Sequence, residues 1–134
     1  MTLPVTALAA ALCALMLIFM KFQVIGQRIR TQTLFGAGTD PKMDMVRGAH
    51  ANLAENAPIA LILLALLEMA NAHHPSLTAL ATLFLLARAL HIYGMYNHLG
   101  GGSVRFRQLA VIGTTISIIG MALWVIYLFV TVNL

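Results

Sequence analysis

A chain of 134 residues is short enough for a single domain, and 60% hydrophobic against 9% charged residues lies far from the balance of a water-soluble globule. The composition predicts an all-α membrane protein whose one domain spans residues 1–134, with the lipid bilayer as its first partner. The formal charge of +4 does not imply nucleic acid, because Lys and Arg gather in two short segments between apolar blocks, as in loops beside an anionic membrane face.

The first helix is predicted over residues 3–25, with Pro4 suited to its first turn and Lys21 and Gln23 near its far end. It is too long for a signal-peptide core and lacks a preceding basic segment and a small-residue cleavage site, so it is expected to stay in the mature protein. Cys13, the single cysteine, reads as a small membrane-facing hydrophobe, and one cysteine cannot build an intrachain disulfide or a zinc knuckle. Residues 26–42 have loop composition and carry Arg28, Arg30 and Lys42.

Asp44 reads as the start of a second helix over 44–71, longer than the roughly 20 residues needed to cross a bilayer. Pro58 predicts a bend near Ala54, because proline lacks the N–H and crowds the carbonyl four residues back. A short turn then forces an antiparallel hairpin into a third helix over 76–97. Gly100, Gly101 and Gly102 make the next connection, and the fourth helix runs over 105–132 with Trp124 and Tyr127 as interface anchors or bundle packing. Glu68, His73 and His74 lack the ligand count and spacing of a metal site and read as solvated groups; no metal is expected.

Arg28, Arg30, Lys42 and Arg47 flank the first connection and Arg105 and Arg107 the third, while the second has no Lys or Arg. The positive-inside bias places the first and third connections in the cytoplasm and both termini on the other side.

The densest polar run is Arg47 to Pro58, at the start of the second helix. At 100 degrees per residue, Asn52, Glu55 and Asn56 lie at about 140, 80 and 180 degrees from Arg47 and share a face, while His50 falls at about 300 degrees and faces another element. Gly48, one turn before Asn52, leaves a gap on the polar face. On the third helix Arg88, His91, Met95 and His98 line one side, with Tyr96 close to it. A guanidinium in the interior of an apolar helix needs a partner or a wet cavity, and Glu55 is its natural partner. Such a clamp is either structural or also orients a ligand. The group as a whole suits an anionic, peptide-like ligand beside a lipid-soluble second substrate; the competing reading is a basic ring that only sets topology.

At Arg47-x-x-His50-x-Asn52-x-x-Glu55-Asn56-x-Pro58 the chain resembles the MAPEG family, membrane-associated proteins in eicosanoid and glutathione metabolism. Val24 to Gln27 with Arg28 and Arg30, the Arg88-x-x-His91 pair and the basic start of the fourth helix extend the resemblance over most of the chain. It implies a four-helix homotrimer that holds glutathione between subunits near the cytosolic face. Arg30 then resembles a residue that meets a glutathione carboxylate, Asn52 and Glu55 those that hold the peptide, and His50 a position occupied by His or Gln. Arg88 and His91 resemble the polar pair of helix three. Arg107, or failing that Arg105, resembles the arginine that stabilises the thiolate, a cation that raises the nucleophilic fraction of a thiol. Arg28, Arg47, Asn56 and Tyr96 complete the candidate glutathione-binding set.

Three positions depart from the family pattern: Gly48 where eukaryotic members often carry arginine, Met95 where a tyrosine is expected, and Asn56 where some carry tyrosine. The chain is most similar to the short bacterial members. The resemblance implies a glutathione-dependent transferase or peroxidase acting on a small lipophilic electrophile. The alternative is a non-catalytic protein of the same fold that binds another amphiphilic ligand. A small multidrug exporter has the same helix count, but the first helix carries no carboxylate to couple protons.

Overall fold

The computed structural model describes residues 2–133. They form four helices, α1 (Pro4–Thr31), α2 (Pro41–Met69), α3 (His74–Leu99) and α4 (Arg105–Asn133), and no strand among the described residues. All four are long and apolar enough to cross a membrane. At 1.5 Å per residue the shortest, of 26 residues, is about 39 Å long. A hydrocarbon core is about 30 Å thick, so the helix ends reach into the headgroup layer.

The apolar blocks anticipate these helices, but several ends differ. α1 continues to Thr31, past the expected end at residue 25. Gly26 has open space around it, so nothing forces a break, and Arg28 and Arg30 occupy the last turn, where cations favour the helix dipole. α2 starts at Pro41, ahead of Asp44, because the Asp40 carboxylate caps the backbone N–H of Lys42 at 2.8 Å and proline is well suited to the first turn. The helix passes through Pro58 without interruption.

α2 and α3 lie at the centre: α1 packs on both, α4 packs on both, and no backbone contact joins α1 to α4 among the described residues. The core cluster runs through Ala9 and Cys13 of α1, Leu53, Ala57, Ala60 and Leu64 of α2, Phe84 of α3 and Met121 of α4. Cys13, at 2% exposure, therefore faces the protein interior and not the lipid. The small thiol fits where α1 meets its neighbours, the kind of close helix contact that replaces the hydrophobic drive inside a bilayer. Gly94 marks the tightest crossing. A Cβ there would lie 2.7 Å from the backbone nitrogen of Arg107, so only glycine lets the start of α4 come this close to α3.

At the end where α2 turns into α3, Glu68 is not a solvated loop residue. Its two carboxylate oxygens accept hydrogen bonds from the backbone N–H groups of Val5 and Thr6, each at 2.8 Å. Leu3, at the N-cap of α1, supplies no side-chain cap, so a carboxylate 63 residues away takes that role and pins α1 to α2. His73, by contrast, is exposed and bonds Ser76.

Candidate functional site

The opposite end carries the predicted residues. Arg28 and Val24 of α1 and Asp44, Arg47, Gly48 and His50 of α2 line an open cleft of about 500 Å³. Its wall carries two guanidinium groups against one carboxylate, a balance that favours an anion. Three of the predicted residues, Arg28, Arg47 and His50, thus meet in one cavity. Arg28 also has a second role, donating to the carbonyl oxygens of Thr33 at 3.1 Å and Leu34 at 2.7 Å.

Arg30 points elsewhere. It pairs with Asp40 and donates to the Gln27 side-chain oxygen at 3.2 Å, while the buried Gln27 amide donates to the same Asp40 oxygen at 2.8 Å. This triad ties the end of α1 to the start of α2. Asp40 therefore serves twice, as the α2 cap and as the counterion of Arg30.

The expected Glu55–Arg88 clamp is not formed. Arg88, 2% exposed on α3, donates to the side-chain oxygens of Asn52 on α2 and Thr114 on α4. Glu55 lies one helical step away on the exposed surface of α2 and makes no ion pair among the described residues. Helix rotation gives the reason: the three-residue step from Asn52 to Glu55 turns the carboxylate about 60 degrees away from the α3 side. Arg88 is thus a neutral-partnered tether between three helices, with its guanidinium 5.9 Å from the centre of the Phe84 ring. Thr114 was not among the predicted residues. A polar side chain in the apolar run of α4 is the signal that points to it, since hydroxyls at membrane depth find partners across helices.

Asn56 turns back on its own helix, its amide donating to the Asn52 carbonyl at 2.7 Å. His91 is buried on α3, close enough to Arg88 and Arg107 to feel both charges. Tyr96 packs with Val24 and Met95 against the buried Met43, Met45 and Val46, and its hydroxyl is buried. Arg105 and Arg107 are exposed at the start of α4.

The two departures at Gly48 and Met95 are neighbours in space. A Cβ on Gly48 would sit 3.4 Å from the Met95 methyl carbon, and the Met95 sulfur lies 3.9 Å from the Arg107 guanidinium. Met95 therefore connects the cleft wall to Arg107. Gly94, next in sequence, holds the backbone of Arg107 against α3. The sequence reading missed Gly94, whose role rests on a contact between helices.

The MAPEG family model matches residues 6–127. The chain is also 30% identical to the Inner membrane protein YecN of Escherichia coli, in two strains, over 95 residues that make up 71% of this chain and 72% of each relative.

Proposed function

The chain belongs to the MAPEG family, and on that footing we propose that it is a glutathione-dependent transferase or peroxidase of a bacterial inner membrane. The observation that carries this reading is the basic cleft lined by Arg28, Arg47 and His50. An anionic tripeptide offers carboxylates to such guanidinium groups in bidentate geometry. Arg107 is the cation for the thiolate: a positive charge beside sulfur lowers the thiol pKa and leaves more nucleophile at neutral pH. A lipophilic electrophile reaches the thiolate from the bilayer. The thiolate carbon–sulfur bond forms as the leaving group departs with its electron pair, and the thiol proton passes to solvent.

The site is completed by a neighbouring copy in a homotrimer. Glu55 and Arg107 are exposed on one subunit, and no hydrogen bond joins Glu55 to Arg88 among the described residues. Groups left on the outer surface of a membrane bundle at this level are available to a second subunit. Both termini then lie on the periplasmic side, following the charge of the connections.

Glutathione titration by calorimetry tests the reading, together with conjugation of an aryl halide in proteoliposomes. Saturable binding at millimolar ligand or below is expected, with turnover that falls at least tenfold in Arg107→Ala. Absence of binding at millimolar glutathione overturns it.

One observation favours a second reading. Met95 fills the space beside Gly48 and lies against Arg107, which makes this part of the wall apolar where a peptide carboxylate would need a donor. A non-catalytic protein that binds another amphiphile uses such a wall directly. Ligand-induced stabilisation by an anionic amphiphile without thiol turnover supports that reading. Gain of glutathione affinity in Gly48→Arg combined with Met95→Tyr shows that the missing donors set the ligand.

A further inference from the structure

The loop between α1 and α2 presents Leu34 at 81% and Phe35 at 89% exposure, the two most exposed large apolar side chains among the described residues. The loop that carries them is built, not slack. Gln32 closes α1 in the left-handed region, Gly36 and Gly38 each take a φ of +67°, and the Gln27–Arg30–Asp40 triad ties the two ends together. Arg28 donates to the carbonyls of Thr33 and Leu34, which folds the chain back to the level of the last turn of α1. A fixed backbone that points two apolar groups outward needs an apolar partner.

We propose that Leu34 and Phe35 insert into the headgroup–acyl boundary of the membrane leaflet on the basic side of the protein. Three features favour lipid as the occupant. α1 has 28 residues, about 42 Å at 1.5 Å per residue, against a hydrocarbon core of about 30 Å, so its last turn and the loop folded back beside it lie at the bilayer boundary. The exposed apolar strip of α1, Phe22, Ile25 and Ile29, leads directly into Leu34 and Phe35. Residues 21–47 carry five Lys or Arg (Lys21, Arg28, Arg30, Lys42, Arg47) against Asp40 and Asp44, a net +3 that complements an anionic leaflet. Aromatic and aliphatic tips beside cations are a common interfacial anchor. Because Arg28 both braces this loop and lines the cleft, the anchor sets the cleft mouth at the lipid surface, where a lipophilic molecule arrives from the leaflet. The proposal does not depend on which ligand the cleft takes.

Phe35→Trp in nanodiscs containing phosphatidylglycerol tests it, read as the difference from the parent, whose single Trp124 lies far along α4. The expected result is blue-shifted emission, quenched several-fold more by lipids brominated near the headgroup end of the acyl chain than by aqueous acrylamide. Adding Arg28→Ala should reverse that preference. Quenching by acrylamide alone would place the loop in water and overturn the proposal. Protection from both quenchers would seat it against another copy of the chain and overturn it equally. Leu34→Trp provides the same readout should Phe35→Trp fail to assemble.

Discussion

The two ends of the bundle differ in how much of their charge is used within the subunit. At the α2–α3 turn the Glu68 carboxylate gives both oxygens to the start of α1, so its charge is used within the subunit. At the basic end Arg30 is engaged by Asp40 and Arg88 by Asn52 with Thr114, while Arg28 both braces the α1–α2 loop and lines the cleft. Arg47 and Glu55, in the same run of α2, have no side-chain hydrogen bond or ion pair among the described residues. The difference separates the groups that fold the chain from those left for a ligand or a neighbouring subunit. Identical residue types fall on both sides of that line, so residue type alone does not assign a role.

The largest effect should come from breaking the tether on the folding side. Asn52→Leu removes a neutral acceptor from a buried guanidinium, and a charged group left short of a partner costs about 3 kcal/mol or more. Arg88→Met removes the charge itself: the Thr114 hydroxyl keeps its bond to the Ala110 carbonyl at 2.8 Å, and only the half-buried Asn52 amide oxygen loses its donor, a cost of about 1–2 kcal/mol. Reversible unfolding in mixed micelles should therefore rank Asn52→Leu as the more damaging change. The opposite order would mean that Arg88 draws its main partner from outside the subunit.

Gly94→Ala comes next. The new methyl would lie 2.7 Å from the Arg107 nitrogen and 3.1 Å from the Phe106 carbonyl carbon, both backbone atoms that cannot rotate aside. Overpacking of this kind costs about 1–3 kcal/mol. It also moves Arg107 away from Met95, so conjugation activity should fall by more than stability accounts for when the two are measured on the same sample.

Glu68→Ala leaves the N-terminal N–H groups of α1 without their cap and should cost about 1–2 kcal/mol, the range of helix caps and partly buried dipole contacts. Thermal unfolding in nanodiscs reads this directly. Glutathione affinity at the far end should stay unchanged, and a fall in affinity would show that the two ends are coupled through α1.

The same division explains how far the sequence could be read. Four apolar blocks of spanning length specify four helices, and Arg88 is correctly marked as an interior cation because its cost in an apolar helix is local and large. Helix ends were less legible: Asp40-Pro41 carries a cap and first-turn signal, but Asp44 is equally acidic and only the fold shows that Asp40 is also held by Gln27 and Arg30. Pairing was the least legible. Charge complementarity selects Glu55 for Arg88, whereas helix rotation brings Asn52 and Thr114 to it. The Glu68 contact links residues 63 apart and has no local pattern at all.

The smallest effect tests whether the gap on the polar face belongs to the site or to the packing. In Gly48→Ala the new Cβ would meet only the Met95 methyl carbon, at 3.4 Å, an ordinary van der Waals contact. Alanine is favoured over glycine inside a helix by about 1 kcal/mol, so the substitution should stabilise the fold by up to that amount. The methyl is directed at Met95 between α2 and α3, and the guanidinium groups of the cleft are untouched. Calorimetric affinity for glutathione should therefore hold while the unfolding midpoint rises. A loss of affinity in a more stable protein would show that the backbone at Gly48 is approached by the ligand itself, and would move this glycine from the packing side of the comparison to the binding side.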